Sequence, residues 1–283
     1  MGRNTTKQAQ ALSRADRARL AKETINKTIP SLLISYPRAR AGVASAQLLR
    51  DLSQATSSQT SRPNVRVIDC DTLDAAQELH ANYPSNRIAV LSMASPLRPG
   101  GGVLTGATSQ EESLCMRSTL FPSLRDEFYR LPDDAVIFTS DVLVFRAQDL
   151  SPMPKSDRFF VDVISCAAPR FPEVEDGKYV VEADREAMVK KIRLILRAAI
   201  MKGCKRIVLG ALGCGAYANP AQEVAEIFKR VICGKTKRNS DETWGGLEEI
   251  IFAIHGSKDV VQVFREALKD ITEKVLDAVD VNV

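Results

Sequence analysis

The chain has few histidines, and its cysteines show no metal-ligand spacing. Only two histidines, His80 and His255, occur among 283 residues, which nearly excludes a histidine-rich metal site. The six cysteines form no CxxC pair and no Cys/His ligand spacing. We therefore expect no metal and no other cofactor. Free thiols suit a reducing compartment, so we expect an intracellular protein of the nucleus, the cytoplasm or both.

Long apolar runs and a strong excess of one charge are also missing. The sequence has no stretch of about 18 apolar residues and no secretory signal, so we expect neither a membrane span nor export. Its 39 basic and 35 acidic residues give a net charge of +4. Such a mild excess helps an anionic ligand approach but is not the charge of a nucleic-acid-binding protein. We expect no direct DNA binding and, by default, a monomer.

The first part of the chain differs in composition from the rest. Residues 7–27 are polar and alanine-rich, which favours a helix, and residues 51–63 are rich in Ser, Thr and Gln and read as a linker. The sequence thus predicts a helical N-terminal extension with its linker over residues 1–62, followed by the main domain over residues 63–283.

From residue 65 onward, short apolar segments alternate with amphipathic ones, which is typical of an α/β fold with a mostly parallel sheet and helices on both faces. Strands are predicted over 65–70, 87–94, 159–168, 206–212 and 248–254, and two more within 135–147 around a turn at Ser140 and Asp141. Helices are predicted over 72–82, 110–129, 182–202 and 258–279, and from Pro220 with Asn219 as the N-cap.

Two glycine clusters, Gly100–Gly102 and Gly213–Gly215, each follow a predicted buried strand. In open α/β sheets the ligand crevice lies at the carboxyl ends of the strands, where glycine lets backbone N–H groups approach a phosphate. Tight structural turns are the alternative. The second cluster fits the dinucleotide pattern G-x-G-x-x-A, but no acidic residue ends a strand about 20 residues later. The Gly-Lys-Thr at 234–236 lacks the earlier glycine of a P-loop.

Two adjacent glutamates, Glu111 and Glu112, follow the first glycine cluster. Ser109 and Glu112 have the spacing of a capping box, so Glu112 could serve only to cap a helix. Neighbours on a helix point about 100° apart, so the pair cannot flank one glycosidic bond as two opposed carboxylates do. If the site is catalytic, one glutamate transfers the proton and the other holds or orients a ligand. A buried carboxylate beside a ligand has the raised pKa of a general acid.

The stretch RPGGGVLTGATSQEESLCMRSTLF (98–121) resembles the GGG-x(6–8)-QEE signature of poly(ADP-ribose) glycohydrolases, in particular the microbial type. LGALGCGAYANP (209–220) is similar to the second loop of that family, and TSDVLVFRAQD (139–149) and VDVISCAAPR (161–170) resemble the intervening strands. The resemblance implies a macrodomain, a three-layer α/β/α fold with a mixed, mostly parallel sheet. It also implies poly(ADP-ribose), ADP-ribose and ADP-ribosylated proteins as partners, and a role in reversing ADP-ribosylation in the DNA damage response.

The resemblance further implies roles for individual residues. Glu112 would be the catalytic acid and Glu111 would hold ribose hydroxyls. Tyr217 would pack against the distal ribose, where the family usually has Phe. The other ligand-binding positions would be Ser95, Gly100, Gly101, Gly102, Val103, Gln110, Gly213, Cys214, Gly215 and Ala216, with Asp69 or Thr72 near the adenine. Two positions depart from the family pattern, since Ser92 and Arg98 replace asparagines.

These residues favour a hydrolase that releases ADP-ribose from poly(ADP-ribose) by glutamate acid/base chemistry without a metal. The first alternative is a module that binds ADP-ribose without cleaving it. The others are a hydrolase of a different ADP-ribosyl linkage and an ordinary nucleotide-dependent α/β enzyme. A catalytic thiol at Cys166 or Cys214 would need a nearby histidine as a base, and neither histidine has an evident place beside them. A buried or loop-lining cysteine is therefore the better interpretation.

Overall fold

A seven-stranded mixed sheet forms the centre of the molecule. The computed structural model describes residues 12–50, 52, 62–234 and 242–272. The strands are β1 (Gln47–Arg50), β2 (Asn64–Ile68), β3 (Ile88–Met93), β4 (Ala135–Val144), β5 (Phe159–Cys166), β6 (Val174–Glu175), β7 (Lys178–Tyr179), β8 (Arg206–Leu209) and β9 (Glu249–Ala253). The sheet order is β1-β4-β5-β3-β8-β9-β2, and β6 and β7 form a separate hairpin. The five strands from β5 to β2 run parallel, whereas β4 and β1 are antiparallel to their neighbours.

Helices cover both faces of this sheet. They are α1 (Arg14–Glu23), α2 (Ile29–Ser35), α3 (Pro37–Ala44), α4 (Thr72–Asn82), α5 (Gln110–Arg117), α6 (Glu182–Met201), α7 (Ala221–Ile232) and α8 (Lys258–Leu268), with a π-helical segment at Thr24–Thr28. Because side chains alternate along a strand, Ile207 and Leu209 face α6, α7 and α8, while Val208 faces α4 and α5. The predicted three-layer α/β/α fold with a mostly parallel sheet is confirmed.

The core on the α6–α8 face contains the single tryptophan of the chain. Trp244 is 2% exposed, and its indole Nε1 donates to the Val231 carbonyl at 2.8 Å. It precedes β9 and therefore lies near the amino ends of the parallel strands. This places it at the edge of the sheet opposite the glycine loops.

The predicted helix over 110–129 is wrong beyond Arg117, where α5 ends. Ser118 is extended and bridges Val144, and the Thr119 amide donates to the Leu143 carbonyl, so the chain leaves the helix to contact β4. Two short 3-10 turns, Phe121–Ser123 and Asp126–Phe128, follow instead of helix.

The two strands predicted within 135–147 are one continuous strand, β4. Its irregularity is a bulge between Thr139 and Val142, where Asp141 has a φ of 52° and its amide donates to the Asp162 carboxylate at 3.0 Å. The bulge keeps both halves paired with β5, so the predicted turn does not separate them.

Other differences lie at the ends of the chain. The last helix was expected to reach residue 279 but ends at Leu268, and residues 273–283 lie outside the described residues. Within the predicted extension, β1 was missed: it pairs antiparallel with β4 at the sheet edge. The predicted linker falls mostly on residues 51 and 53–61, also outside the described residues. Among the described helices, none is long and apolar enough to cross a membrane.

Candidate active site

Both glycine loops lie at the carboxyl edge of the sheet, after adjacent parallel strands. Gly100–Gly102 follow β3 and Gly213–Gly215 follow β8, as the sequence predicted. A cavity of about 300 Å³ opens beside the second loop at this edge. Its wall includes Thr72, Met93, Gln110, Cys214, Gly215 and Ile254. The crevice expected of an open α/β sheet is therefore present at the predicted place.

Each glutamate of the pair is held by one backbone amide from the first glycine loop or its approach. The Gly102 N–H donates to Glu112 Oε1 at 2.7 Å, and the Ser95 N–H donates to Glu111 Oε2 at 2.8 Å. The Ser109 side chain makes no cap hydrogen bond. The predicted capping box is therefore wrong: Glu112 turns to the glycine loop, because α5 packs against that loop.

The other oxygen of each carboxylate lacks a partner. Glu111 Oε1 and Glu112 Oε2 are buried and make no hydrogen bond within the described part of the chain. Glu111 is 3% exposed and Glu112 is 6% exposed. A buried carboxylate oxygen without a hydrogen bond is costly, and such groups are characteristic of sites that bind or react.

Burial changes the titration of Glu111. Loss of solvent raises the pKa of Glu111 from an ordinary 4.5 to about 8, the hydrogen bond from Ser95 opposes this rise, and the charge of Glu112 adds to it. At neutral pH Glu111 therefore holds a proton that an exposed glutamate would have lost. A site with such a proton is able to donate it to a leaving group.

The first glycine loop comes close to both carboxylates only because it has no side chains there. Gly101 has a φ of +55°, and a Cβ at this position would lie 2.7 Å from Glu112 Oε1 and 2.8 Å from Glu111 Oε2. Gly100 also has a positive φ and faces the Phe121 ring. Val103 is 2% exposed and closes the loop by donating its amide to the Gly100 carbonyl.

Two tyrosines lie beside Glu111. Tyr217, predicted to contact a ribose, is half-buried, and burial raises its pKa. Tyr129 was not predicted: its hydroxyl is buried without a partner in the described structure, and burial together with the Glu111 charge raises its pKa. No local motif marks Tyr129, because only the irregular segment after α5 brings it to the site.

The second glycine loop is fixed by Asn219, which was predicted to cap α7. Instead, Pro220 is the N-cap, and the buried Asn219 amide donates to the carbonyls of Pro169, Gly213 and Tyr217 at 2.8–3.3 Å. Its Oδ1 accepts from the Tyr179 hydroxyl at 2.8 Å. Gly215 and Ala216 are left exposed at the tip of this loop, and a Cβ on Gly215 would meet no atom within 4 Å.

The residues predicted for the adenine side differ in position. Thr72 lines the cavity at the start of α4, whereas Asp69 is exposed just after β2 and Asp71 lies on the cavity wall. Gln110 also lines the cavity, but its amide is engaged: Oε1 accepts from Met93 N at 2.9 Å and Nε2 donates to the Leu91 carbonyl at 2.6 Å.

The two departures from the family motif differ in their exposure. Ser92 is fully buried in β3, and Arg98 is exposed on a second cavity that Gly101 and Phe121 also line. Burial raises the pKa of Cys214 to about 12 and that of Cys166 to about 11, so both remain thiols at neutral pH. In the described ranges, no three His, Cys, Asp or Glu side chains cluster as metal ligands.

Comparison with known proteins gives one family. The model of the microbial-type PARG catalytic domain matches residues 11–147, where PARG denotes poly(ADP-ribose) glycohydrolase. No curated protein matches the chain. The crystal structure of PARG from Thermomonospora curvata is 26% identical with a TM-score of 0.74, and the match covers 89% of this chain and 99% of that one. Its complex with the inhibitor ADP-HPD matches with a TM-score of 0.73 at the same identity and coverage.

A third structure, PARG from Deinococcus radiodurans in complex with ADP-ribose, is 25% identical with a TM-score of 0.69. That match covers 83% of this chain and 99% of the other. The matched model and the shared fold confirm the resemblance and the prediction of an enzyme: the chain is similar to the microbial-type poly(ADP-ribose) glycohydrolases, which are glycosidic-bond hydrolases.

Proposed function

We propose that this chain releases ADP-ribose from poly(ADP-ribose) by hydrolysing ribose–ribose bonds. The observation that carries the proposal is the pair of buried carboxylates, each fixed by one backbone amide and each left with one oxygen free for a ligand. The relationship to poly(ADP-ribose) glycohydrolases, one of them in complex with ADP-ribose, supplies the substrate class.

The substrate lies across the two glycine loops. Gly100–Gly102 contact the diphosphate and distal ribose from one side, and Gly213–Ala216 close over the diphosphate from the other. Exposed backbone at the tip of the second loop suits this contact, because Gly215 leaves open space where a side chain would stand. Tyr217 packs against the distal ribose, and Glu111 Oε1 binds its hydroxyls.

Glu112 performs the proton transfers. Its Oε1 is fixed by Gly102, so its Oε2 is the oxygen that faces the reacting bond. The bond between C1″ of the distal ribose and O2′ of the preceding unit breaks as Glu112 gives a proton to O2′. Water then adds to C1″ of the oxocarbenium-like sugar, and Glu112 takes up the proton that this water loses. The scheme uses no metal.

The test is release of ADP-ribose from purified poly(ADP-ribose), with binding of ADP-ribose measured by calorimetry on the same proteins. Glu112→Gln removes the transferable proton and keeps the acceptor for Gly102, so we expect activity to fall by about 10²–10⁴ while ADP-ribose still binds. Glu186→Gln, on the exposed face of α6, is the matched control and keeps full activity.

The outcomes separate the alternatives. Binding without release by the wild-type protein contradicts the hydrolase on this substrate and leaves a binding module or an enzyme for another ADP-ribosyl linkage. If ADP-ribose does not bind, the assignment of ADP-ribose as the ligand is contradicted. Full activity of Glu112→Gln would contradict Glu112 as the general acid and would mean that another group of the site donates the proton.

A further inference from the structure

An exposed aromatic residue stands at the rim of the site. Phe171 lies on the loop after β5, and 62% of its surface is exposed. Its φ is +51°, a conformation that a bulky side chain rarely adopts. An exposed, large apolar side chain in a strained backbone conformation supports the hypothesis that it binds a ligand.

The structure fixes Phe171 against the site. Its amide donates to the Tyr217 carbonyl at 3.0 Å, and the two ring centroids are 6.1 Å apart. The Arg170 guanidinium lies 5.5 Å from both ring centroids. Asn219 ties the same loop to the second glycine loop through the Pro169 carbonyl.

The neighbours of Phe171 connect it to the reacting groups. Tyr217 lies close enough to Ser95 and Glu111 for both to affect the pKa of its hydroxyl, and the Ser95 amide donates to Glu111. In the proposed reaction the leaving oxygen, O2′, belongs to an adenosine, and the adenine is attached to the next carbon of that ribose. The base of the leaving unit therefore emerges beside the catalytic pair.

We propose that Phe171 and Arg170 form a stacking site for the adenine of the unit from which ADP-ribose is cleaved; this inference rests on the proposed function. Adenine stacks on Phe171, and Arg170 supplies a positive charge beside that unit's diphosphate. In the described ranges no acidic side chain forms an ion pair with Arg170, so its charge is available to an anion. Free ADP-ribose does not use the site, because it lacks the second adenosine.

The test compares a two-unit chain of poly(ADP-ribose) with ADP-ribose. On the uncleaving Glu112→Gln background, the two-unit chain is expected to bind about tenfold more tightly than ADP-ribose, the size of one base–aromatic stack. Adding Phe171→Ala removes this difference and leaves the dissociation constant of ADP-ribose unchanged. Phe171→Trp keeps the difference. In the otherwise wild-type chain, Phe171→Ala lowers kcat/KM on the two-unit chain about tenfold.

Met201→Ala is the matched control, because Met201 is also an exposed apolar residue but ends α6 at the opposite edge of the sheet. Equal loss of binding for both ligands in Phe171→Ala would overturn the inference, since Phe171 would then only support Tyr217. No loss for either ligand would overturn it as well. If the wild-type protein binds both ligands but releases no ADP-ribose, the proposed hydrolase fails, and the binding comparison still decides the stacking site.

Discussion

At the scale of single residues, the two glycine loops use glycine for different reasons. At position 101 the backbone conformation itself requires glycine, because the φ of Gly101 is positive and a Cβ would lie too close to both glutamate side chains. Gly215 has neither constraint: its φ is ordinary and the space beside it is open. The first glycine is thus required by the fold of the site, and the second only by what binds there.

We therefore predict opposite outcomes for two alanine substitutions. Gly101→Ala displaces both carboxylates and strains the loop, so it lowers the free energy of unfolding by about 1–3 kcal/mol and abolishes activity. Gly215→Ala leaves the melting temperature within about 1 °C of wild type but weakens ADP-ribose binding, because the methyl group stands where the diphosphate lies. Calorimetry and thermal unfolding measure both properties.

A control for general effects of alanine is Gly177→Ala in the β6–β7 turn, where the φ is positive but the space is open. It should lose some stability and no affinity. Normal ADP-ribose affinity in Gly215→Ala would contradict placement of the diphosphate at this loop.

At the scale of elements, one buried side chain joins two loops. The amide of Asn219 holds the loop after β5 through Pro169 and the loop after β8 through Gly213 and Tyr217. Its acceptor oxygen also anchors Tyr179 of the β6–β7 hairpin. Together with the hydrogen bond from the Phe171 amide to the Tyr217 carbonyl, this side-chain amide fixes the relative position of the segments.

Asn219→Ala is expected to lower the free energy of unfolding by about 1–3 kcal/mol, because the Pro169 carbonyl loses its donor and the buried Tyr179 hydroxyl loses its acceptor. It should also raise the dissociation constant of ADP-ribose. Asn219→Asp keeps the acceptor for Tyr179 but loses both amide hydrogens, so it should weaken binding as well. Asn82→Ala, exposed at the end of α4, is the matched control. Unchanged binding in both Asn219 variants would show that the loops hold their positions without it.

The helices and strands also show how much of the secondary structure is predictable from the sequence alone. Periodicity located α4, α6 and the parallel strands well, because each has a continuous apolar pattern. The predicted helix was wrong after Arg117, because Ser118 pairs with Val144 although the sequence there has the composition of a helix. Periodicity also failed at β1, whose four residues become a strand only through β4.

The residues of the site likewise fall into those that the sequence predicted and those that it did not. The glycine loops and glutamates were predicted because they lie in short, specific motifs. The roles of Asn219 and Tyr129 were not, since they depend on segments distant in the chain that meet only in the fold. Phe171 carries no motif, and its exposure is visible only in three dimensions.

At the scale of the whole molecule, residues 12–50 are joined to both the sheet and the site. β1 extends the sheet, and from α1 Arg14 and Arg17 donate to the carbonyls of Thr105 and Gly106 in the first glycine loop. The division into an extension over 1–62 and a domain over 63–283 remains a proposal about folding units. These contacts give the extension a direct connection to the ligand site.

The buried glutamate pair links global stability to pH. In the unfolded chain Glu111 titrates near 4.5, and in the folded protein near 8. Between these values the folded state binds more protons than the unfolded state, so the contribution of Glu111 to stability is complete below about pH 4.5 and is lost as the pH rises through 8. The loss is at most roughly 5 kcal/mol, at about 1.4 kcal/mol for each pH unit.

Glu111→Gln mimics the protonated carboxyl at every pH. We expect its free energy of unfolding to match that of the wild type near pH 4.5 and to exceed it by a few kcal/mol at pH 9, measured by urea unfolding. Glu186→Gln, an exposed glutamate, should show no such divergence. A difference that stays constant with pH would contradict the raised pKa of Glu111.

The single tryptophan adds a practical property to this architecture. Trp244 is enclosed by the core near the amino ends of the strands, whereas the glycine loops occupy the carboxyl ends. We therefore expect its fluorescence to report the integrity of the core and to stay constant when a nucleotide enters the site. Unfolding and ligand binding are thus optically separable in the unmodified chain, with no label introduced.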